Sequence, residues 1–442
     1  MSSARFLKNV TIVATRLGLG AILGLGITSF LARVFGPASN GIYAMAVLIP
    51  TTAVILGNLG IGASSIYFIS SSKYSVSTVT KNNLLFSSIA AILAALASAL
   101  FILLDNGGTL KNLPVHVLMA SVATIFPMML FGNLSAVYTG VQNFRAHGIL
   151  TLLPQMIFGI LLATALPLFA NSLTVALSLF AMAYMVAVVI LLTTLKEHLL
   201  NYSANRSERT VFIRDAMSYG IKAHLGNVIT FLNYRVDVFL LTALVDIRSV
   251  GLYAITVPIT EAIWMTSTAV SAVIFPWVAS QTDKDDLAQK GTALVCRWVF
   301  TATVISALII GVLAETIVMT LFGVEYKAAV SAIWFLLPGV SLWSIARVLS
   351  NDMAGRGRTD INLALSCVAL IINVLANLIL IPRFAINGAA IASSVSYSAL
   401  TVCTMLAYSR LTQCPFWQLL IPTSLDVSAM RMLVSRILTK TI

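Results

Sequence analysis

Residues 41–56 read GIYAMAVLIPTTAVIL, sixteen positions without a charge. The first four letters return as GLYA at Gly251–Ala254, 210 positions later. Working outward from this pair, the whole chain proves apolar and doubled. Hydrophobic residues make up 59% of the 442 and charged residues 10%, whereas a water-soluble domain carries about 25% charged residues. Mean hydropathy is +0.96. A helix needs about 20 apolar residues to cross the hydrocarbon. Runs of that order fall at 10–34, 41–70, 83–104, 115–139, 149–170, 173–195, 216–243, 251–279, 293–320, 328–353, 362–382 and 386–409. The alternating ten-residue strands of an outer-membrane barrel do not appear. The expected fold class is an all-α integral membrane protein with about twelve transmembrane helices.

The doubling goes beyond GIYA and GLYA. Pro127 in the fourth span has a counterpart in Pro338 of the tenth, and the same spans end at Gly140 and Gly355. An even number of spans per half gives both halves the same orientation, a parallel internal repeat. The expected organisation is a cytoplasmic N-terminus (1–9), a six-helix lobe (10–195), a cytoplasmic linker (196–215), a second six-helix lobe (216–409) and a cytoplasmic tail (410–442). Within the tail, Val427, Met430, Val434 and Ile437 oppose Arg431, Arg436 and Lys440. That pattern predicts an amphipathic helix on the membrane interface; a frayed basic tail fits equally well. The first span is too long for a signal peptide, carries Arg16 and Arg33, and has no small-residue cleavage site.

Lys and Arg placement sets the orientation. With both termini cytoplasmic, 17 of the 27 fall on inner loops and tails, five on the outer side (Arg33, Lys111, Arg248, Lys327, Arg383) and five within spans. This follows the positive-inside rule, so the net charge of +12 reports topology rather than nucleic-acid binding. Cys296, Cys367 and Cys403 lie in spans and Cys414 beyond the last, with no metal or disulfide spacing. The loops are short, and no phosphate-binding loop, catalytic triad or metal motif is present. The expectation is a protein that is not an enzyme, needs no cofactor and works between its helices.

Charges inside spans are costly. Arg16 lies one to two turns into the first span. Lys222, His224 and Asn227 occupy the inner half of the seventh, with Arg235 and Asp237 further out in FLNYRVDVFLL (231–241). Positions two apart point to different sides of a helix, so Arg235 and Asp237 are expected to do different jobs, one facing a lumen and one a neighbouring helix. Glu261 in the eighth span sits at a depth suited to pairing with Arg235; Arg347 and Asp352 occupy the inner half of the tenth. Arg16, Lys222, Arg235 and Arg347 outnumber Asp237, Glu261 and Asp352. Such an excess suits an anionic substrate, since guanidinium forks match phosphate oxygens. The acidic residues are read as charge balance or gating. A structural ion-pair network is the competing reading. Asn227, Asn373 and Asn377 are candidate lumen-lining residues, although gluing helices together is the commoner fate of the last two. Gly18, Gly20, Gly24 and Gly26 in the first span permit bending and close helix contact. Pro50, Pro127, Pro154, Pro258 and Pro338 interrupt further spans.

FLARVFGPASNGIYAMAV (30–47) and YRVDVFLLTALVDIRSVGLYAITVPITEAIW (234–264) resemble the paired signatures of polysaccharide-biosynthesis flippases, the Wzx-type oligosaccharide-lipid translocases. EYKAAVSAIWFLLPG (325–339) and MAGRGRTDINLALSCVALIINVLANLILIPRFAINGAAIASSVS (353–396) extend the similarity into the last spans. The resemblance implies the multidrug/oligosaccharidyl-lipid/polysaccharide exporter fold, two six-helix lobes around a central cavity. It also implies an undecaprenyl-diphosphate-linked oligosaccharide substrate, an O-antigen or similar repeat unit on the way to lipopolysaccharide. The implied location is the bacterial cytoplasmic (inner) membrane, with membrane lipid, a polysaccharide polymerase and chain-length machinery as partners. Arg235 matches the Arg of the family's R-x-D pattern and Arg16 is similar to the first-helix Arg of some members; Lys222 and Arg347 rest on depth alone. Two rivals remain: a cation-coupled multidrug antiporter of the same fold using Asp237 and Glu261, and a ligase or polymerase of polysaccharide assembly. The short outer loops speak against the second.

Overall fold

A chain in hydrocarbon has no water to satisfy its amides, so it closes its hydrogen bonds within helices. The computed structural model describes residues 3–105, 110, 113–169, 172–200, 206–279 and 285–421, and these contain no strand. The first half comprises α1 (Ser3–Gly57), α2 (Ile61–Ser70), α3 (Val76–Leu104), α4 (Val115–Val122), α5 (Ile125–Gly140), α6 (Phe144–Ala165) and α7 (Leu173–Thr194). After the short α8 (Lys196–Leu200) come α9 (Arg206–Leu244), α10 (Ile247–Glu261), α11 (Trp264–Ala279), α12 (Asp285–Leu321), α13 (Ala329–Gly355) and α14 (Thr359–Thr412). The amphipathic helix expected from residue 426 lies outside the described residues, as does part of the joining segment, 201–205.

Nine helical stretches among the described residues are long and apolar enough to cross a membrane; with two of them folded back on themselves they account for eleven of the twelve passes, and α10 with α11 makes the other. The described membrane stretches of α1 and α14 run 43 and 54 residues, against the roughly 20 that one crossing needs. Each folds back on itself, α1 at Gly36 (φ 69°) just before Pro37 and α14 at Ala385 (φ 47°). The eighth span is broken into α10 and α11, each too short to cross alone. The second span breaks between Gly57 and Ile61, where Gly60 takes φ 77°. The fourth breaks between α4 and α5, where Pro127 cannot donate to the carbonyl of Ala123. Beyond the spans read from hydropathy, α9 and α12 each gain extra turns at their N-terminal ends.

The repeated tetrapeptides meet. A Cβ built on Gly41 would lie 1.9 Å from the carbonyl oxygen of Ile247, and one built on Gly251 would lie 1.8 Å from that of Pro37. Each glycine therefore packs on the carbonyl one turn before the other glycine, a reciprocal contact expected of two elements related by an internal two-fold. Asn40 Nδ2 donates to Gly251 O across the same crossing at 3.4 Å. Backbone against backbone leaves no room for a side chain, which is why both copies of the motif begin with Gly.

The chain divides into two compact units. The first runs through Ile255 and takes in Val318–Ala329 and Ile381–Ile386; the second comprises Thr256–Ile317, Val330–Leu380 and the chain from Asn387 onward. The first is built around Phe68, Val79, Met129, Leu134 and Leu191, the second around Ile274, Val299, Ile345, Leu349 and Tyr408. Large side chains such as Leu93, Leu96 and Leu100 on α3 and Leu308 and Val312 on α12 are exposed. In a soluble protein such patches would be a liability; along a membrane span they are the lipid-facing surface.

Candidate functional site

In the first unit, Arg16 on α1 is half-buried, and its Nη1 lies 3.5 Å from Thr151 Oγ1 on α6. Thr151 donates in turn to His147 O at 2.8 Å. His147 Nδ1 lies 3.2 Å from the carbonyl oxygen of Ser135. A carbonyl only accepts, which assigns the proton to Nδ1 and leaves Nε2 for another partner. One turn beyond Thr151, Gln155 spreads its amide over the bare face of α1, where Cβ atoms on Gly20 and Gly24 would lie 3.5 and 3.9 Å from its polar atoms. His147, Thr151 and Gln155 were missed in the sequence reading. Their signal was a polar residue at every fourth position through an apolar helix, visible only once α1 was known to lie alongside.

Arg235 and Asp237 on α9 have different surroundings. Arg235 is half-buried, with Nη1 donating to Tyr234 O at 3.3 Å. Asp237 is buried and accepts from Tyr253 Oη of α10 at 2.6 Å. Tyr253 is the aromatic of the GLYA motif, so the repeat signature supplies the donor for the buried carboxylate. Asn227 on the same helix is exposed. Lys222 is carried by α9, and its side chain lies outside the described residues.

The N-terminal part of α9 docks on α2 and the start of α3. A Cβ built on Gly60 would lie 2.1 Å from Gly220 O, and one built on Gly220 would lie 2.7 Å from Leu59 O and 3.0 Å from Gly60 O. Tyr67 and Tyr219 stack at 4.3 Å. Lys73 Nζ and Tyr74 Oη both donate to Asp215 Oδ2, at 2.7 and 2.9 Å. These two hydrogen bonds, that from Lys73 first, hold the Asp215 carboxyl below the usual carboxylate range. Between α1 and α3 lies an apolar groove of about 600 Å³ that includes Leu56, Phe86, Leu93, Ala97 and Phe239. Arg33 Nε caps the end of α12 through Leu321 O at 2.8 Å, a helix-terminus role for a cation near a span end.

In the second unit, the Arg347 guanidinium stacks on Trp343, 5.0 Å from the ring centroid, and Trp343 packs on Trp264 at 4.2 Å. Asp352 is fully buried. It pairs with Arg356 one turn on, accepts from Thr292 Oγ1 at 2.5 Å and lies 3.4 Å from Tyr408 Oη. The sequence reading placed Arg356 in a loop; α13 continues far enough to bring it back onto its own acid. Asn373 and Asn377 are fully buried, with Asn377 Nδ2 donating to Asn373 O and Oδ1 at 2.9 and 2.5 Å. Glu261 ends α10 and is half-buried. Among the described residues no cluster of His, Cys, Asp or Glu could hold a metal.

Twelve passes define a multi-pass membrane protein. The sequence pattern of the polysaccharide biosynthesis protein family matches residues 6–281, well over half of the chain, and the chain belongs to that family. Its fold is that of the lipid II flippase MurJ in an inward-closed conformation, at a TM-score of 0.75 and 15% identity, covering 97% of this chain and 92% of that one. An inward-facing multidrug resistance MATE transporter of the MOP superfamily superposes with a TM-score of 0.70 and 13% identity, covering 91% and 98%. A MOP-superfamily transporter from Pyrococcus furiosus gives 0.63 at 12% identity, covering 92% and 96%. An uncharacterised membrane protein of Methanocaldococcus jannaschii is 24% identical over 197 residues, 43% of this chain; the match spans 39% of that relative's length.

Proposed function

We propose that this protein is a flippase for an isoprenoid-diphosphate-linked oligosaccharide, carrying repeat units of an O-antigen or similar surface polysaccharide from the cytoplasmic to the periplasmic leaflet by alternating access. The observation that carries the reading is the half-buried state of Arg16, Arg235 and Arg347 at membrane depth, in segments from both halves. These guanidinium groups keep accessible surface, as a site for a phosphate-bearing head group requires. The family and the flippase fold support the same reading.

The lobes 10–195 and 216–409 are the rocking bodies, and both termini face the cytoplasm of a bacterial inner membrane. The head group enters from inside, meets Arg16, Lys222 and Arg347, and leaves past Arg235, while the polyprenyl chain stays in lipid. Asp237, Glu261 and Asp352 balance these charges and tune the gate. Crossing bare hydrocarbon would cost a diphosphate its hydration; a polar, cationic lumen lowers that cost. A membrane potential negative inside favours outward movement of each uncompensated negative charge by about 2.3 kcal/mol per 100 mV. A polymerase and chain-length machinery would consume the product.

The rival reading, a cation-coupled drug antiporter, needs acids able to exchange a cation. Of its two candidate acids, Asp237 and Glu261, Asp237 is instead buried and accepts a hydrogen bond from Tyr253, which supports the flippase. Lipid-linked oligosaccharides extracted from cells lacking the gene test this directly. Build-up of unpolymerised repeat units, cleared by restoring the gene, is expected. Normal levels with intact surface polysaccharide, together with drug sensitivity, would favour the antiporter.

A further inference from the structure

The α1–α6 ladder contains one polar group that the phosphate argument leaves unused. Gln155 sits in mid-span, its side chain is exposed, and its amide has no hydrogen-bond partner among the described residues. An amide facing lipid would lose its hydrogen bonds to water with no repayment. Helical spacing separates His147, Thr151 and Gln155 by about 6 Å each along the axis, and four-residue steps keep them on one side of α6. The glycine face of α1 leaves room for a methyl group beside Gln155, with Cβ contacts at Gly20 and Gly24 at ordinary van der Waals distance. The inner end of the ladder is cationic, at Arg16; the deeper end is a neutral group that both donates and accepts.

We propose that this ladder is a glycosyl-phosphate subsite, in which Arg16 holds a phosphate while Thr151 and Gln155 bind the hydroxyls of the sugar attached to it. The spacing suits the ligand, because a sugar ring lies one ring-length beyond its anomeric phosphate, comparable to one four-residue step. Gln155 is then a specificity-determining residue that distinguishes a loaded carrier from the bare isoprenoid diphosphate. The inference rests on the flippase reading and deepens it.

The test uses the full chain in nanodiscs, titrated with two probes and followed by native mass spectrometry. One probe is a short-chain isoprenoid diphosphate carrying N-acetylglucosamine; the other is the same diphosphate without sugar. Wild type is expected to bind the sugar-bearing probe more tightly. Gln155→Leu should weaken that probe roughly tenfold, the scale of a hydrogen-bonded polar group lost from a site, and leave the bare diphosphate within about twofold. Thr151→Val, which keeps the side-chain shape, should show the same selective loss to a smaller degree and guards against a misfolded Gln155→Leu. Arg16→Ala should weaken both probes. Unchanged binding of both probes by Gln155→Leu and Thr151→Val, or equal weakening of both, would overturn the subsite while leaving the flippase reading intact. Failure of wild type to bind either probe would overturn both.

Discussion

Replacing Gly251 with Ala inserts one methyl group where two helices cross backbone to backbone. The added Cβ would sit 1.8 Å from Pro37 O, and the matching change at Gly41 would sit 1.9 Å from Ile247 O. Ordinary contact begins near 3.4 Å, so the helices must part locally by about 1.5 Å, and no rotamer change can relieve a clash with a carbonyl. A gap of 0.5–1 Å already forfeits a quarter to a half of the dispersion energy of a contact. Overpacking of this kind costs about 1–3 kcal/mol, and the backbone-on-backbone geometry puts both variants at or above the upper end. Gly24→Ala is the internal control, because its Cβ would meet Gln155 Nε2 at 3.9 Å. Thermal midpoints in detergent, read by loss of the monodisperse peak in size-exclusion chromatography, should fall by about 5 °C or more for Gly41→Ala and Gly251→Ala. Gly24→Ala should match wild type or rise slightly through helix propensity. A Gly251→Ala variant as stable as wild type would refute the reciprocal crossing.

Further expectations concern the α9 docking pair, the buried acid and the path. Reversing either charge of the Lys73–Asp215 pair should lower the thermal midpoint, and swapping both should recover it; equal midpoints in every variant would deny the pair a docking role. Because the Asp215 carboxyl is held below its usual range, the contribution of the pair is complete above the ordinary carboxylate value and fades only as pH falls through the lowered one. Stability should therefore not vary between pH 5 and 8 through this group. Removing one partner of a buried ion pair costs about 3–5 kcal/mol, so Asp352→Asn should lower the thermal midpoint and Asp352→Asn with Arg356→Met should recover part of it; no recovery would place the cost in the Thr292 contact instead. Arg235→Ala should reduce export of lipid-linked saccharide while membrane abundance stays unchanged, and a matching loss of abundance would make Arg235 a folding residue.

Composition and periodicity alone determined the class, the twelve passes and the doubling, because lipid allows an unpaired backbone so few forms that an apolar run of the right length has essentially one fate. The same logic singled out Arg16, Arg235, Asp237 and Asp352 as unusual, since a charge in a span always needs an explanation. It could not say which partner each charge has. Tyr253 for Asp237, Thr292 and Arg356 for Asp352, and Trp343 for Arg347 became visible only when helices distant in sequence, or a helix longer than its apolar run, brought them together. Gln155 is the clearest case. In the sequence it is one polar residue in an apolar stretch, and only the glycine face of α1 beside it makes it a candidate ligand group. Hydropathy is a property of each residue and survives in the sequence. Partnership depends on which helix faces which, and that is decided by close packing such as the Gly41–Gly251 crossing, where two short motifs, 210 positions apart, fit only against each other.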